Sequence, residues 1–221
     1  MRILQDWEEV GEAVRRLRTA ELPGHAVPEK HWDLALLADM TDDLPRDATV
    51  ADFGCAGLYA LELLARQGFR DIVGLDLSVP WQHRRRALRR RTQGTRYRLY
   101  RRDITETRLP AASLGALSCL SVLEHGVDVG ALAAESARVL APGGRALVTT
   151  DYWPEPPNTD RSNHFGLPWR ILGRSDLEEL IELFDRAGLV CSMTHVPAVG
   201  KPLVRWGGCD YTFVALTFVR R

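Results

Sequence analysis

Val50-Ala51-Asp52-Phe53-Gly54-Cys55-Ala56-Gly57 is the most informative stretch of the chain. Its apolar residues predict a short buried strand that breaks at Gly54 into a tight turn, followed by a helix over residues 58–67. A second apolar strand, Ile72-Val73-Gly74-Leu75-Asp76-Leu77, ends on the acid Asp76. This order is typical of a nucleotide-binding βαβ unit, because glycines let the backbone approach a ligand and the carboxylate accepts hydrogen bonds from ribose hydroxyls.

The composition of the turn indicates which kind of nucleotide it suits. A dinucleotide-binding turn usually has three glycines, as GxGxxG, and places a pyrophosphate at the helix N-terminus. Here the turn has Gly54 and Gly57, and the acid Asp52 precedes them. A carboxylate repels a pyrophosphate and attracts a cationic ligand. A nicotinamide oxidoreductase is therefore a weaker alternative.

This stretch resembles the first motif of class I S-adenosylmethionine-dependent methyltransferases, whose usual form is close to V-L-D-x-G-C-G-x-G. Ala56 replaces a glycine of that motif, and we expect the turn to be one residue shorter than in the family. The resemblance implies S-adenosyl-L-methionine as cofactor and S-adenosyl-L-homocysteine as product. It also implies an α/β fold, a Rossmann-like three-layer sandwich whose seven-stranded, mostly parallel sheet has a reversed last strand.

Further motifs follow in the order of that family over roughly residues 48–150. Ser121-Val122-Leu123-Glu124-His125 resembles the fourth-strand motif of its small-molecule members, and Pro142-Gly143-Gly144 resembles the turn before the fifth strand. The acid and the apolar residue after the third strand resemble its adenine contact. The cofactor-binding residues implied by the resemblance are Asp52, Gly54, Cys55, Gly57, Asp76, Leu77, Asp103, Ile104 and Ser121.

Composition and charge argue against several other classes of protein. A length of 221 residues suits one domain, and 29 basic residues balance 29 acidic ones, so the net charge favours no polyanionic partner. The four cysteines have no C-x-x-C or close Cys/His spacing and are expected to be free thiols. No signal peptide and no apolar run of about 20 residues is apparent. We expect a cytoplasmic monomer or homodimer without membrane contact.

Periodicity predicts the elements around these motifs. Two helices, over residues 6–20 and 29–40, precede the first strand and would form an N-terminal helical cap at residues 1–45, ahead of a methyltransferase core at 46–221. A later helix is expected to begin with a capping box of Ser175 and Glu178 and to end at Gly188. The last two strands, over 190–196 and 211–219, are expected to pair antiparallel because too few residues separate them for a crossover helix.

Residues 151–174 have no clear periodicity, and a loop of this length is often functional. Its aromatic residues suit an apolar pocket, and we interpret it as a substrate loop. The substrate-binding candidates are Trp32, Tyr152, Trp153, His164 and Phe165, although Trp32 is equally well explained as a core tryptophan. His125 and His164 are the candidates for a general base, since histidine titrates near neutral pH. No metal site is predicted.

An arginine-rich run follows the second strand, with ten arginines between residues 84 and 102. Such a run is compatible with nucleic-acid binding, but few aromatic residues accompany it, and a solvated helix and strand edge explains it better, so a nucleic-acid partner is not expected. The leading hypothesis is a methyltransferase that acts on an O or N atom of a small apolar or aromatic metabolite. The alternatives are an RNA or protein methyltransferase, and a protein of this fold that binds a ligand without methyl transfer.

Overall fold

The computed structural model describes residues 1–91, 94–159, 163–164, 166–191 and 195–221, with the backbone alone for 88–91 and 163–164. Six helices and eleven strands alternate along it. The helices are α1 (Trp7–Thr19), α2 (His31–Thr41), α3 (Tyr59–Arg66), α4 (Trp81–Arg91), α5 (Val129–Val139) and α6 (Arg174–Arg186). The strands are β1 (Arg2–Ile3), β2 (Thr49–Phe53), β3 (Asp71–Asp76), β4 (Arg96–Arg101), β5 (Leu114–Leu120), β6 (Leu140–Tyr152), β7 (Asn163–His164), β8 (Leu167–Pro168), β9 (Leu189–Cys191), β10 (Val204–Trp206) and β11 (Cys209–Arg220).

One mixed sheet carries most of these strands. Its order is β4-β3-β2-β5-β6-β11-β1, and β9 and β10 also pair with β11. Strands β2 to β6 pair parallel, while β11 runs antiparallel to β6, β9, β10 and β1. The predicted α/β fold with a reversed last strand is confirmed. The sheet has nine strands rather than seven, because the short edge strands β1 and β10 are too brief to produce a periodic pattern.

Helices cover both faces of the sheet. On one face, α1, α2 and α3 pack in a single apolar cluster with residues of β2 and β3, such as Val50 and Ile72. On the other face, α5 and α6 pack in a second cluster that includes Phe184 and Phe218, whose rings stack at 4.3 Å. Burial of these two apolar surfaces is the main source of stability. The division into a cap and a core at residues 45 and 46 stays a prediction.

Some helix ends lie where the sequence predicts them and others do not. Asp6 caps α1, at the start of the predicted helix over residues 6–20, by accepting a hydrogen bond from the Glu9 N–H at 2.9 Å. At α6 the predicted capping box of Ser175 and Glu178 is wrong. The helix begins two residues earlier than that box requires, and the carboxylate of Asp176 accepts from the Gly173 N–H at 2.7 Å. Because Gly173 has no side chain to mark the cap, the sequence pointed to the next serine.

Candidate active site

The predicted cofactor motifs lie together at the carboxyl edge of the sheet. From β2, the strand order continues through β3 and β4 toward one edge of the sheet. The chain then returns to the other side of β2, where β5 and β6 lie. Ligands of open α/β sheets bind where the strand order reverses in this way. The Gly54 turn leaves β2 at this point, and its two N–H groups at Gly54 and Cys55 donate to the Leu75 carbonyl at 2.8 and 3.1 Å.

Two carboxylates lie at the ends of neighbouring strands beside this turn. Asp52 is buried and accepts a hydrogen bond from the Ser118 hydroxyl at 2.6 Å. Burial raises the pKa of Asp52 to about 7, against the hydrogen bond from Ser118, and the charge of Asp76 adds to the rise. Burial also raises the pKa of Asp76, although the Ser78 N–H donates to its Oδ1 at 2.8 Å and the nearby Ala56 N–H acts to lower the pKa.

The turn is not shortened, which corrects the expectation from the sequence. Counted from Asp52, the family pattern D-x-G-C-G-x-G ends at Leu58, which stands at the position of the last glycine. Leu58 has a φ of 59°, in the left-handed region that glycine normally occupies. Its side chain is buried, so contacts with the core offset the cost of this backbone conformation. Gly57 lies one residue before this position.

The remaining predicted cofactor residues lie at the same edge. Leu77 is 55% exposed after β3. Asp103 is exposed beyond β4, and its Oδ1 accepts from the Thr105 N–H at 2.9 Å, while Ile104 is buried beside it. Ser121 follows β5 with a φ of 55°, and its N–H donates to the Thr149 carbonyl at 3.0 Å. A serine held in the left-handed region is strained backbone of the kind that occurs at functional sites.

The predicted acceptor-side residues are more dispersed. Trp32 is buried in the helix cluster, and its Nε1 donates to Glu9 at 3.2 Å, which favours the core alternative. Tyr152 is fully buried in β6 among the residues packed by α5 and α6, and its hydroxyl makes no hydrogen bond with the described residues. Trp153 is half-buried next to it. His164 is described by its backbone alone, in β7, and Phe165 lies outside the described residues.

His125 lies in a short 3₁₀ turn after β5. Its Nδ1 is 3.3 Å from the Pro168 carbonyl. Because a carbonyl only accepts, Nδ1 carries the proton, and in the neutral ring the lone pair is then on Nε2. The Arg170 N–H also donates to the Glu124 carbonyl at 2.9 Å, so the end of the predicted substrate loop is attached to this turn.

A group of buried polar residues beside this turn was not predicted from the sequence. It contains Lys30, which precedes α2, and the carboxylates of Asp33, Glu124 and Asp151, which are 2 to 4% exposed. The only sequence signal for it was the Ser121–His125 motif, which contains Glu124. The other members come from elements far apart in the chain, and the sheet brings them together.

Glu124 makes the stability of the fold depend on pH. Burial raises its pKa from an ordinary value of 4.5 to about 8, and the neighbouring charge of Asp151 contributes. The folded state thus holds a proton that the unfolded state loses above about pH 4.5, so the free energy of unfolding falls as pH rises toward 8, by up to about 1.4 kcal/mol per pH unit for one proton. Glu124→Gln keeps an acceptor for Thr150, which donates at 2.9 Å, and is expected to flatten this dependence.

Urea unfolding at several pH values between 5 and 8 measures this effect. Glu135→Gln is the matched control. Although burial acts to raise the pKa of Glu135, Arg138 and Thr107 hold it below its usual range. Its carboxylate therefore stabilises the fold above its unfolded pKa, and this variant is expected to lose stability at neutral pH. An unchanged slope in Glu124→Gln would contradict a protonated, buried Glu124.

The comparisons with known proteins agree with this geometry. Residues 51–148 match the family described as "Methyltransferase domain". The match covers less than half of the chain and agrees with the predicted family and its cofactor class. The predicted fold is confirmed.

A curated relative and two solved structures illustrate the range of the family. The chain is 35% identical, over 105 residues, to a ubiquinone biosynthesis O-methyltransferase of Xylella fastidiosa (strain M23). These residues make up 47% of this chain and 42% of the relative, so the match spans less than half of that protein. It resembles geranyl diphosphate C-methyltransferase from Streptomyces coelicolor A3(2), at TM-score 0.67 and 18% identity over 98% of this chain and 85% of the other. It also resembles 1,6-didemethyltoxoflavin-N1-methyltransferase of Burkholderia thailandensis, at TM-score 0.62 and 20% identity over 98% and 91%.

These three proteins are named for acceptors at oxygen, carbon and nitrogen. The two solved structures, at this level of identity, establish the fold alone. The identity of the methyl acceptor therefore has to be inferred from the residues of this chain. Among the described residues, no helix is long and apolar enough to cross a membrane.

Proposed function

We propose that the protein is an S-adenosylmethionine-dependent methyltransferase that moves a methyl group to an O or N atom of a small, apolar or aromatic metabolite. One observation carries the cofactor half of this proposal. The Gly54 turn, the buried Asp52 and the half-buried Asp76 meet at the point where the strand order reverses, and the N–H groups of Gly54 and Cys55 donate to the carbonyl of Leu75, the residue before Asp76. An acid at each of two adjacent strand ends suits a ligand with a cationic amino acid part and a ribose.

The cofactor residues then have distinct roles. Asp52 would orient the amino group, directly or through water, and the backbone of Gly54, Cys55 and Gly57 would approach the ligand. Asp76 would accept hydrogen bonds from the ribose, with Leu77 beside it. Residues 103 and 104 would contact the adenine, and Ser121 would lie near the methionine part. The cofactor supplies an activated methyl group, so the chain's own residues mainly align the acceptor and remove its proton.

The acceptor is expected to lie beside His125 and the loop that contains Trp153, His164 and Phe165. A general base typically contributes 10²–10⁴-fold, and His125 is our first candidate for it. Trp32 and Tyr152 are both buried, so core packing is the alternative explanation for each, and a substrate contact at either stays a prediction. A cytoplasmic location also stays a prediction.

Calorimetric titration with S-adenosylmethionine, S-adenosylhomocysteine and NADH tests the proposal. Micromolar binding of the two sulfur nucleosides and no binding of NADH are expected. In Asp76→Ala the affinity is expected to fall about 10- to 100-fold, because hydrogen bonds to a charged group are worth about 1.5–3 kcal/mol. Asp47→Ala, which removes an exposed acid, is the matched control and should bind as the wild type does. If neither sulfur nucleoside binds the wild type, the proposal is wrong.

The exposed arginines of α4 favour RNA as a second candidate acceptor. Arg84, Arg85 and Arg86 are exposed, and the Arg85 guanidinium lies 5.4 Å from the ring centroid of Trp81, itself 61% exposed. RNA binding that weakens steeply with salt would favour this candidate over a small metabolite.

A further inference from the structure

We call the group of polar residues around Lys30, together with its aromatic neighbours Tyr211 and Phe213, the Lys30 cluster (Lys30, Asp33, Glu124, Asp151, Tyr211 and Phe213). Lys30 Nζ is 3.4 Å from the centroid of the Phe213 ring and 3.6 Å from Asp33 Oδ2. It also donates to the Ser121 hydroxyl, at the end of β5. The Lys30 side chain is 19% exposed, so the cluster lies within reach of the surface.

The carboxylates of the cluster outnumber its cation. The charge of Lys30 acts on Asp33, Glu124 and Asp151, and that of His125 acts on Asp151. Asp151 Oδ2 also accepts from Trp169 Nε1 at 2.8 Å, and burial raises the pKa of this carboxyl against the nearby Tyr211 hydroxyl. Glu124 holds a proton near neutral pH, which leaves Asp33 and Asp151 against one lysine, so the cluster has capacity for a second positive charge, since an unpaired buried carboxylate is costly.

One carboxylate oxygen of the cluster has no protein partner. Asp33 Oδ1 is buried and makes no hydrogen bond with any described residue, whereas Oδ2 of the same group faces Lys30. A buried acceptor without a donor is rare in native proteins and calls for an explanation. A ligand that brings N–H donors into the cluster would provide one.

The aromatic residues around the cluster also favour a cation. The Tyr211 ring is 5.8 Å from Trp169 and 5.9 Å from Phe213, and both contacts are edge-to-face. Aromatic faces attract ammonium groups, and combinations of such rings recognise alkylated amines. Among the described residues no group of three His, Cys, Asp or Glu side chains is arranged to hold a metal ion. An organic cation fits this chemistry better than a metal does.

We propose that the Lys30 cluster binds a positively charged amine group of the methyl acceptor, and that the Lys30 ammonium takes the place of this group when no acceptor is bound. The proposal rests on the proposed function, because the cluster reaches Ser121, where the methyl group would lie. The amine serves to position the acceptor, and it is not assigned as the atom that receives the methyl group.

Three probes of one shape but different charge test the proposal. Phenethylamine is a cation at pH 7, 2-phenylethanol is neutral and phenylacetate is an anion. Each is titrated into the protein saturated with S-adenosylhomocysteine. We expect phenethylamine to bind at least about tenfold more tightly than the neutral probe, because charge-assisted contacts are roughly twice as strong as neutral ones. Lys30→Met should raise its affinity further by removing the competing ammonium, whereas Asp33→Asn should reduce the preference.

The chain has one other lysine, Lys201, which is exposed, and Lys201→Met is therefore the matched control, expected to leave all three affinities unchanged. Equal or weaker binding of the amine in both the wild type and Lys30→Met, or no binding of any probe, would overturn the proposal. If Lys30→Met does not fold, the wild type and Asp33→Asn decide the question. Binding of S-adenosylhomocysteine is measured first, so failure of the proposed function is recognised separately.

Discussion

Gly54→Ala is expected to abolish binding of S-adenosylmethionine and to destabilise the fold. Gly54 has a φ of 82°, which an alanine adopts at a cost of about 1–2 kcal/mol. A Cβ at this position would lie 2.3 Å from Val122 Cγ2 and 3.1 Å from Cγ1. Valine is stiff about its first side-chain torsion, so the turn itself must move, which adds about 1–3 kcal/mol. This movement would displace the N–H groups of Gly54 and Cys55, whose hydrogen bonds to the Leu75 carbonyl hold the turn in place.

Gly68→Ala separates the cost of a positive φ from the cost of the steric contact with Val122. Gly68 has a φ of 94°, and a Cβ there would meet no atom within 4 Å. This variant should therefore lose about 1 kcal/mol from its backbone conformation and keep the wild-type affinity for the cofactor. Thermal unfolding and calorimetry measure both quantities. If the two variants proved equally stable and both bound the cofactor, close packing of Val122 against the turn would not be what requires glycine at position 54.

His125→Gln is expected to lower kcat by about 10²–10⁴-fold for an acceptor found by methyl incorporation, if His125 is the general base. Its Nδ1–H donates to the Pro168 carbonyl, which leaves the Nε2 lone pair to accept a proton. The wild-type rate should therefore rise with pH as the imidazole becomes neutral, and this rise should be absent in the variant. Affinity for S-adenosylhomocysteine should not change.

His195→Gln is the control for this experiment, because His195 is exposed and is not part of the described site. It should retain the wild-type rate and pH profile. A His125→Gln enzyme with a normal rate and profile would remove His125 from the proposal. The second candidate, His164, would then be the residue to change.

The βαβ unit could be predicted from local sequence because its features are local. Apolar runs define β2 and β3, glycine relieves the backbone where the turn needs a positive φ, and Asp52 and Asp76 end adjacent strands. Alternation of strands and helices then leads to a parallel sheet. The same local reasoning failed at Leu58, which adopts the left-handed conformation although its residue type gives no sign of it. Contacts of its buried side chain decide that conformation.

The sequence by itself determined the fold class, and it predicted the family and the edge of the sheet at which the cofactor motifs meet. Only the tertiary structure decided the composition of the Lys30 cluster, the Ser118 partner of Asp52, and the burial of Trp32 and Tyr152. The physical reason is the difference between local and distant contacts. Backbone conformation depends on neighbours in the chain, whereas the charge balance around Lys30 depends on α2, β6 and β11, which only packing of the whole sheet brings together.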